Sequence, residues 1–303
     1  MNESIHKYAK IGLIHFMAYP STIKGEGPIE ATIRKIAVDD YFDAIEITWI
    51  KNTEVRKKVK TMLDSSHLSI AYGAQPRLLT TGQNINDLDE SKRIVAVNNI
   101  KEGIDEAIEM GAVGLGFLSG KYTEERKEEA YLALVKSTKD ICAYAKSKGG
   151  LKIAHEVFDY DIDKCSLIGP VDIAKRYAEE ICAGFDNFGL MVDLSHLPIL
   201  HESSRVSLIP VKDFIIHAHM GNCYMRDKNN PAYGDVHPRF GYPGGENDVE
   251  ELVEYLKVLL EIGYLNPEKR RFLSFEVKPV GDEDSDIVIA NAKRVLNLAW
   301  AKV

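Results

Sequence analysis

The sequence predicts a single (β/α)8 barrel, the TIM-barrel class of α/β fold, formed by residues 1–303 as one domain. Eight short apolar, β-branched runs alternate with longer segments of helical period. A length of 303 residues suits one barrel, which commonly forms a single domain of this size. No Pro/Ser-rich linker divides the chain, and no GxGxxG follows the first strand. Both absences favour the barrel over an open, doubly wound sheet that binds a dinucleotide.

Each predicted strand is a short run of apolar and β-branched residues, which is typical of a parallel strand that is buried on both faces. In chain order they are IGLIHFM (11–17), FDAIEITWI (42–50), LSIAYGA (68–74), AVGLGFLSG (112–120), LKIAHEVF (151–158), FGLMVDLSH (188–196), DFIIHAHMG (213–221) and FLSFEVKP (272–279).

The segments between the strands carry apolar residues at i, i+3, i+4 and i+7, and this period predicts helices. ESKRIVAVNNIKEGIDEAIEMG and TEERKEEAYLALVKSTKDICAYAKSKGG each end in glycine, where a helix C-cap is expected. NDVEELVEYLKVLLEIG begins with Asn247 and has Glu250 three residues later, which is the spacing of a capping box.

Composition and charge exclude several classes of protein. The chain is 45% hydrophobic and 28% charged, as soluble globular proteins are, and no run of ~18 uncharged apolar residues predicts a membrane span. The N-terminus lacks the pattern of a secretory leader, so we expect a cytoplasmic protein. A net charge of −8 with scattered Lys and Arg argues against a nucleic-acid partner. Four cysteines without a CxxC indicate reduced thiols rather than a disulfide frame or a zinc ribbon.

Polar residues stand near the ends of the last four predicted strands: Glu156, Asp193, His219 and Glu276. The carboxyl ends of barrel strands meet at one mouth, so these side chains should converge there. Clustered buried carboxylates repel one another and need a cation or protons. Oxygen-rich ligation with one nitrogen suits Mn²⁺, with Mg²⁺ or Co²⁺ as alternatives, better than a structural zinc. The sequence therefore predicts one divalent metal ion bound by these four residues.

The alternation of side chains along a strand sorts their neighbours. If Glu156 points into the barrel, His155 points towards the helices and is a packing residue. His217 and His219 share a face, and we assign the metal to His219, which is nearer the mouth, leaving His217 in a supporting or core position. Glu46 could also face the interior, but a single acid has too many structural explanations to be assigned a catalytic role.

The segments HE (155–156), DLSH (193–196), HAHMGN (217–222) and FEVKP (275–279), in this order, resemble the xylose-isomerase-like barrel superfamily. This superfamily includes ketose 3-epimerases, hydroxypyruvate isomerases, inosose dehydratases and a DNA-repair endonuclease group. The resemblance covers nearly the whole chain in architecture and the second half in motifs. It implies the same four metal ligands, with Glu156 and Glu276 doubling as a catalytic acid/base pair.

The resemblance also implies contacts to the substrate. His196, three residues after the aspartate, matches the substrate-binding histidine of the epimerases. Their arginine, six residues after the metal histidine, has no match, because Met225 stands there and Arg226 follows. We count Arg226 and His237 with His196 as candidate substrate-binding residues.

A long insert after the seventh strand, YMRDKNNPAYGDVHPRFGYPGGEND (224–248), is similar to the catalytic subunits of bacterial C-glycoside deglycosidases. These metal-dependent relatives cleave a carbon–carbon bond in 3-keto-glycosides. Glycines in this insert precede a helix N-terminus and could hold an anion, but Glu246 and Asp248 would repel it. We therefore expect a neutral sugar or glycoside rather than a sugar phosphate.

Together these features predict a divalent-metal-dependent sugar isomerase or epimerase of carbohydrate metabolism, which removes a proton next to the carbonyl of a keto-sugar. A C-glycoside deglycosidase subunit, which is a lyase, and an inosose dehydratase remain alternatives. A non-enzymatic sugar-binding barrel with a vestigial metal site is the alternative of another class. We expect a homo-oligomer, or a hetero-oligomer with a small subunit if the chain is a deglycosidase.

Overall fold

In the computed structural model, which describes residues 3–303, eight parallel strands form a closed barrel, and this confirms the predicted fold class. Residues 1 and 2, the start of the predicted single domain, lie outside the described residues. Each strand pairs with its neighbour in sequence, and the last pairs with the first. The strands are β1 (Ala9–Ile14), β2 (Ala44–Ile47), β3 (Ser69–Gly73), β4 (Gly114–Leu118), β5 (Lys152–Glu156), β6 (Phe188–Asp193), β7 (Ile215–Gly221) and β8 (Arg271–Glu276).

Helices follow the strands and surround the barrel. No described helix is long and apolar enough to cross a membrane. Neighbouring helices pack against one another, for example the fifth on the sixth and the tenth on the eleventh. They are α1 (His15–Ala18), α2 (Ile29–Ala37), α3 (Thr53–Ser66), α4 (Gln75–Leu79), α5 (Glu90–Met110), α6 (Lys127–Ser147), α7 (Val171–Cys182), α8 (His196–Ile199), α9 (Ser204–Leu208), α10 (Val249–Glu261) and α11 (Ser285–Lys302).

All eight predicted strands overlap observed ones, and the differences lie at their ends. One of them is in the run IGLIHFM (11–17), where β1 stops at Ile14 and the remaining residues enter α1. Periodicity cannot separate a buried strand from a short buried helix when both are apolar on every side. Helix α5 ends before Gly111, whose φ of 78° is left-handed, as its glycine predicted. Helix α6 ends one residue earlier than predicted, because Lys148 rather than Gly149 occupies its C-cap.

The predicted capping box at Asn247 and Glu250 is wrong by one residue. Helix α10 begins at Val249, and the N–H of its N-cap, Asp248, donates to Glu251 Oε2 at 2.9 Å. Either adjacent pair satisfies the sequence rule, so the spacing alone could not choose between them.

Asn247 instead joins the loops that follow β6 and β7. Its buried amide nitrogen donates to the carbonyls of Leu194 and Gly221, at 3.1 Å each. Its main-chain N–H donates to Asn222 Oδ1 at 2.7 Å. These bonds fix the start of α10 against the ends of two strands at the mouth of the barrel.

The pairing of β6 with β7 determines which side chains enter the barrel. Leu190 faces Ile215, but the next residue, Met191, faces His217, so β7 carries one extra residue at this point. Such an irregularity redirects the side chains that follow it. His155, by contrast, points outward as predicted: it is fully buried, and its Nδ1 lies 3.2 Å from the hydroxyl of Tyr177 on α7.

Candidate active site

Four polar side chains from the ends of β5, β6, β7 and β8 meet inside the barrel mouth. They are those named as metal ligands from the sequence, Glu156, Asp193, His219 and Glu276, and all are buried. One nitrogen or oxygen of each lies within 4.8 Å of those of the other three. Their separation is small enough for a single ion to contact all four.

Among residues 3–303, each of these residues has one buried atom with no hydrogen-bond partner outside the group of four. The atoms are Glu156 Oε1, Asp193 Oδ2, His219 Nδ1 and Glu276 Oε2. His219 Nδ1 lies 2.9 Å from Glu276 Oε2 and 3.4 Å from Glu156 Oε1. Buried polar atoms without partners are costly, so this group requires a cation or bound protons. Three carboxylates and one imidazole form a donor set that fits a divalent ion with a preference for oxygen.

The pKa values of the group reflect the same crowding. Burial raises the pKa of Glu276 to about 7, and the charge of Glu156 adds to this, although His237 and His219 oppose it. Burial disfavours protonation of His219, but the carboxylates around it, Glu46 first, hold its pKa well above its usual value. The cluster therefore attracts positive charge strongly.

Glu46, near the end of β2, contacts the opposite side of the His219 ring. Glu46 Oε1 and Oε2 lie 3.2 and 3.3 Å from His219 Nε2, and Oε1 lies 2.7 Å from His217 Nε2. Burial would raise the pKa of Glu46, but the two imidazoles hold it well below its usual value. A carboxylate on one ring nitrogen of a histidine leaves the other nitrogen free for a metal. On β2, Ala44 and Glu46 are two residues apart and therefore share the inward face. This spacing was the feature of the sequence that could have revealed the position of Glu46.

The insert after β7 brings two further residues into the site, Asp235 and His237. Asp235 Oδ1 lies 2.9 Å from His237 Nε2 and 3.0 Å from His196 Nε2, while its Oδ2 lies 3.0 Å from Lys164 Nζ. Burial opposes the charge on Asp235, but His237 and Lys164 hold its pKa well below the usual range. Sequence analysis missed Asp235, because an insert without periodicity does not reveal which of its residues turn inward.

The three candidate substrate-binding residues lie in different places. His237 lines the cavity of the site, and its Nε2 lies 3.3 Å from Glu276 Oε1. His196 is buried outside the cavity lining, where its Nδ1 lies 2.7 Å from the carbonyl oxygen of Val157. Arg226 is exposed and lies beside Gly244, so the structure does not bring it to the cavity.

The cavity above the cluster has a volume of about 170 Å³ and is lined by a set of polar and a set of apolar side chains, which we call the polar and the apolar wall. Gln75 belongs to the polar wall, where its Nε2 donates to Glu156 Oε2 at 2.6 Å. Lys164 and Lys278 also line the polar side. The apolar wall comes from the loops after β1, β3 and β5 and from the end of β1, and consists of Ile14, Phe16, Met17, Ile23, Pro76, Leu79 and Phe158. The site can thus accept a molecule that has both polar and apolar surface.

Comparison with known proteins agrees with this architecture. A family model described as a xylose isomerase-like TIM barrel matches residues 35–288. A solved D-tagatose 3-epimerase-like protein is 21% identical, with a TM-score of 0.69 over 97% of this chain and 99% of its own. A D-psicose 3-epimerase from Clostridium cellulolyticum H10 is 16% identical, with a TM-score of 0.68 over 96% and 98%.

A 3-keto-D-glucoside 4-epimerase from E. coli is 15% identical, with a TM-score of 0.67 over 95% of this chain and 99% of its own. At such identities the likeness shows a shared fold. No curated protein sequence matches this chain significantly.

Proposed function

Because the chain belongs to the xylose isomerase-like TIM barrel family, we propose that it is a divalent-metal-dependent sugar isomerase or epimerase. It would act by removing a proton next to the carbonyl of a keto-sugar. The observation that carries this proposal is the convergence on one point of four buried ligand atoms that have no hydrogen-bond partner outside the group. The sugar epimerases among the solved structures of similar fold support the choice of reaction class.

The ion would be held by Glu156 Oε1, Asp193 Oδ2, His219 Nδ1 and Glu276 Oε2. When bound, a divalent ion supplies Lewis acidity that polarises carbonyl and hydroxyl oxygens of a sugar. We propose Mn²⁺, with Mg²⁺ or Co²⁺ as alternatives, because the donors are mostly oxygen.

Proton transfer would be carried out by Glu156 and Glu276, which line the same cavity. One carboxylate would remove the proton from the carbon next to the carbonyl, and the other would return a proton to the opposite face. The Gln75 amide holds Glu156 Oε2 in place, so the other oxygen, Oε1, keeps its orientation towards the cluster.

The apolar wall favours a second candidate, the catalytic subunit of a C-glycoside deglycosidase. A free ketose has no large apolar surface to place against residues such as Phe16 and Leu79, whereas a glycoside with an apolar aglycone does. The insert that supplies Asp235 and His237 is also the segment that resembles those subunits. In this case we propose a hetero-oligomer with a small subunit, and otherwise a homo-oligomer.

The test is turnover in deuterated water with free ketoses, inososes and 3-keto-glycosides, followed by NMR of the products. Either keto-sugar reaction should place deuterium on a carbon next to the carbonyl. Turnover with no deuterium incorporation would contradict the proton-transfer mechanism and favour a hydride or hydrolytic route. Elemental analysis separates the enzyme from a sugar-binding barrel: stoichiometric Mn, Mg or Co supports the enzyme, whereas no metal and no activity after metal addition support the binder.

A further inference from the structure

A second, larger cavity opens at the other end of the barrel, where the strands begin. Its volume is about 410 Å³, within the range of small-molecule sites. It exists because interior positions of β3, β4 and β5 carry almost no side chain, namely Ala71, Gly114, Gly116 and Ala154. Met191 and Phe272 supply larger apolar surfaces to its walls. We call it the basal cavity.

The residues at the opening of the basal cavity are basic, in a protein whose net charge is −8. Glu46, at the inner end, is the one acid among the lining residues, and it is already bonded to His217 and His219. Arg270 is neutralised by Asp43, at 2.7 Å. The basic lining residues are Lys10, Lys152, Lys269, Arg270 and Arg271.

Among residues 3–303, most of these basic side chains form no ion pair with a carboxylate. Lys10 Nζ donates to the neutral hydroxyl of Ser69 at 2.8 Å. Lys152 Nζ donates to the main-chain oxygen of Asp186 at 2.9 Å. Lys269 is exposed to solvent. The opening therefore has a positive potential that attracts anions.

The inner end of the basal cavity is polar and lies against the candidate active site. The ring of His217 lines it and stacks on Phe272, with ring centroids 5.2 Å apart. Glu46 lines both the basal cavity and the active-site cavity. The two spaces are thus separate, with the Glu46 and His217 side chains between them.

We propose that the basal cavity binds a small amphipathic organic anion. Its apolar body lies between Met191 and Phe272, and its acidic group lies at the opening beside Lys152, Lys269 and Arg271. The combination of apolar walls from Met191 and Phe272 with several unbalanced cations at the opening suits a single small molecule with one charged end. This inference stands independently of the reaction proposed above, since it uses none of the four metal ligands.

The probe for this site is 8-anilinonaphthalene-1-sulfonate, an aromatic sulfonate whose fluorescence rises on burial, titrated into the full chain at low ionic strength. We expect saturable binding to one site. The double variant Lys152→Gln/Lys269→Gln should weaken it about five-fold, because two exposed charges near the anion are removed. Lys57→Gln/Lys58→Gln makes the same charge change on exposed side chains of α3 and should leave the affinity unchanged.

Filling the cavity gives the complementary test. A Cβ at Gly114 would meet no atom closer than 3.5 Å, so Gly114→Leu can place its side chain in the cavity without a clash at Cβ. We expect this variant to weaken probe binding more than ten-fold while thermal unfolding shows an intact fold. If it does not fold, the affinity of the lysine double variant for the probe is the test. Equal affinity of the wild type and the lysine double variant, or no saturable binding up to about 1 mM probe, would overturn the proposal.

Discussion

His219 and Glu46 are joined through the ring nitrogen that faces away from the ligand cluster: His219 Nε2 lies 3.2 Å from Glu46 Oε1. The same ring turns Nδ1 towards Glu276 Oε2, at 2.9 Å. A carboxylate that accepts from Nε2–H fixes both the tautomer and the orientation of the imidazole. A buried acid from β2 therefore determines the orientation of a histidine ring from β7.

Replacing Glu46 should weaken metal binding without removing a ligand. We expect Glu46→Gln to lower the affinity for Mn²⁺ about 10–100-fold, as loss of such a supporting carboxylate typically does. Isothermal titration with Mn²⁺ measures this. Glu106→Gln is the matched control, because Glu106 is also buried but pairs with Arg77, outside the cluster. Equal Mn²⁺ affinities of wild type and Glu46→Gln would contradict the positioning role.

Metal should stabilise the fold, because an ion that binds only the folded chain shifts the unfolding equilibrium. At 100 times its Kd, Mn²⁺ should add about 2.7 kcal/mol to the free energy of unfolding and raise Tm by about 5 °C. Asp193→Asn should abolish most of this increase, since it removes the negative charge of one of the four converging residues. Calorimetry of both proteins in EDTA and in Mn²⁺ measures the increase in Tm. If Asp193→Asn showed the same increase as the wild type, the ion would bind elsewhere.

The two glutamates should be required for proton transfer more than for metal binding. Glu156→Gln and Glu276→Gln keep the side-chain shape and one oxygen ligand but lose the basic carboxylate. We expect each to lower kcat about 10²–10⁴-fold, with Mn²⁺ still bound in a titration. If both variants kept near wild-type kcat at saturating metal, the carboxylate pair would be excluded, and His237, which lines the cavity, would become the candidate base.

Asp235 lines the cavity, whereas His196 contacts Asp235 from outside the cavity lining. Asp235→Asn should raise KM about 10–100-fold, because it removes a charged hydrogen-bonding group that the substrate can reach. The sequence predicted a direct contact between His196 and the substrate. His196→Ala should raise KM by a smaller factor than Asp235→Asn does and leave kcat largely unchanged. Steady-state kinetics of both variants measure this order, and a larger KM effect from His196→Ala would show that the histidine itself reaches the substrate.

Acid stability should depend on Asp43, which directly precedes β2 and contacts His6 and the N–H of Ile11 on β1. Burial opposes its charge, but His6, Arg270 and the N–H of Ile11 hold the pKa of Asp43 at about 2. Because this pKa is lower in the folded chain than in the unfolded one, the carboxylate stabilises the fold above about pH 4, and this is lost as pH falls towards 2.

Urea unfolding of wild type and Asp43→Asn should therefore differ by about 1 kcal/mol near pH 6, with solvent screening included, and the difference should shrink below about pH 4. Asp64→Asn, at an exposed residue of α3, provides the comparison. A gap between wild type and Asp43→Asn that stays constant from about pH 6 to pH 2.5 would contradict the ionic role.

The barrel and the convergence of four polar side chains at its mouth were predictable for a common physical reason. Parallel strands buried on both faces leave continuous apolar runs in the sequence, and a polar residue that interrupts such a run is conspicuous. Glu156, Asp193, His219 and Glu276 interrupt four consecutive runs, and the barrel brings all strand ends to one mouth.

The roles of the other site residues could not be predicted, for reasons that differ from residue to residue. Asp235 lies in an insert of irregular structure, where polar residues are the rule and only tertiary contacts reveal which one is buried. Glu46 interrupts its strand as visibly as the ligands do, but its role depends on a contact with His219, a residue 173 positions later in sequence. Arg226 is the reverse case, a residue that was predicted to reach the cavity and does not. Its position in the motif suggested a contact with the substrate, but its side chain is exposed to solvent.

The pairing of β8 with β1 has a consequence for how the protein is made. A growing chain on the ribosome that has not yet released β8 holds unpaired edges on β1 and β7 and lacks Glu276. Neither the closed sheet nor the complete set of four converging residues can exist before that strand emerges. Truncated products that stop short of it would therefore keep two open sheet edges and lack one of the four converging side chains.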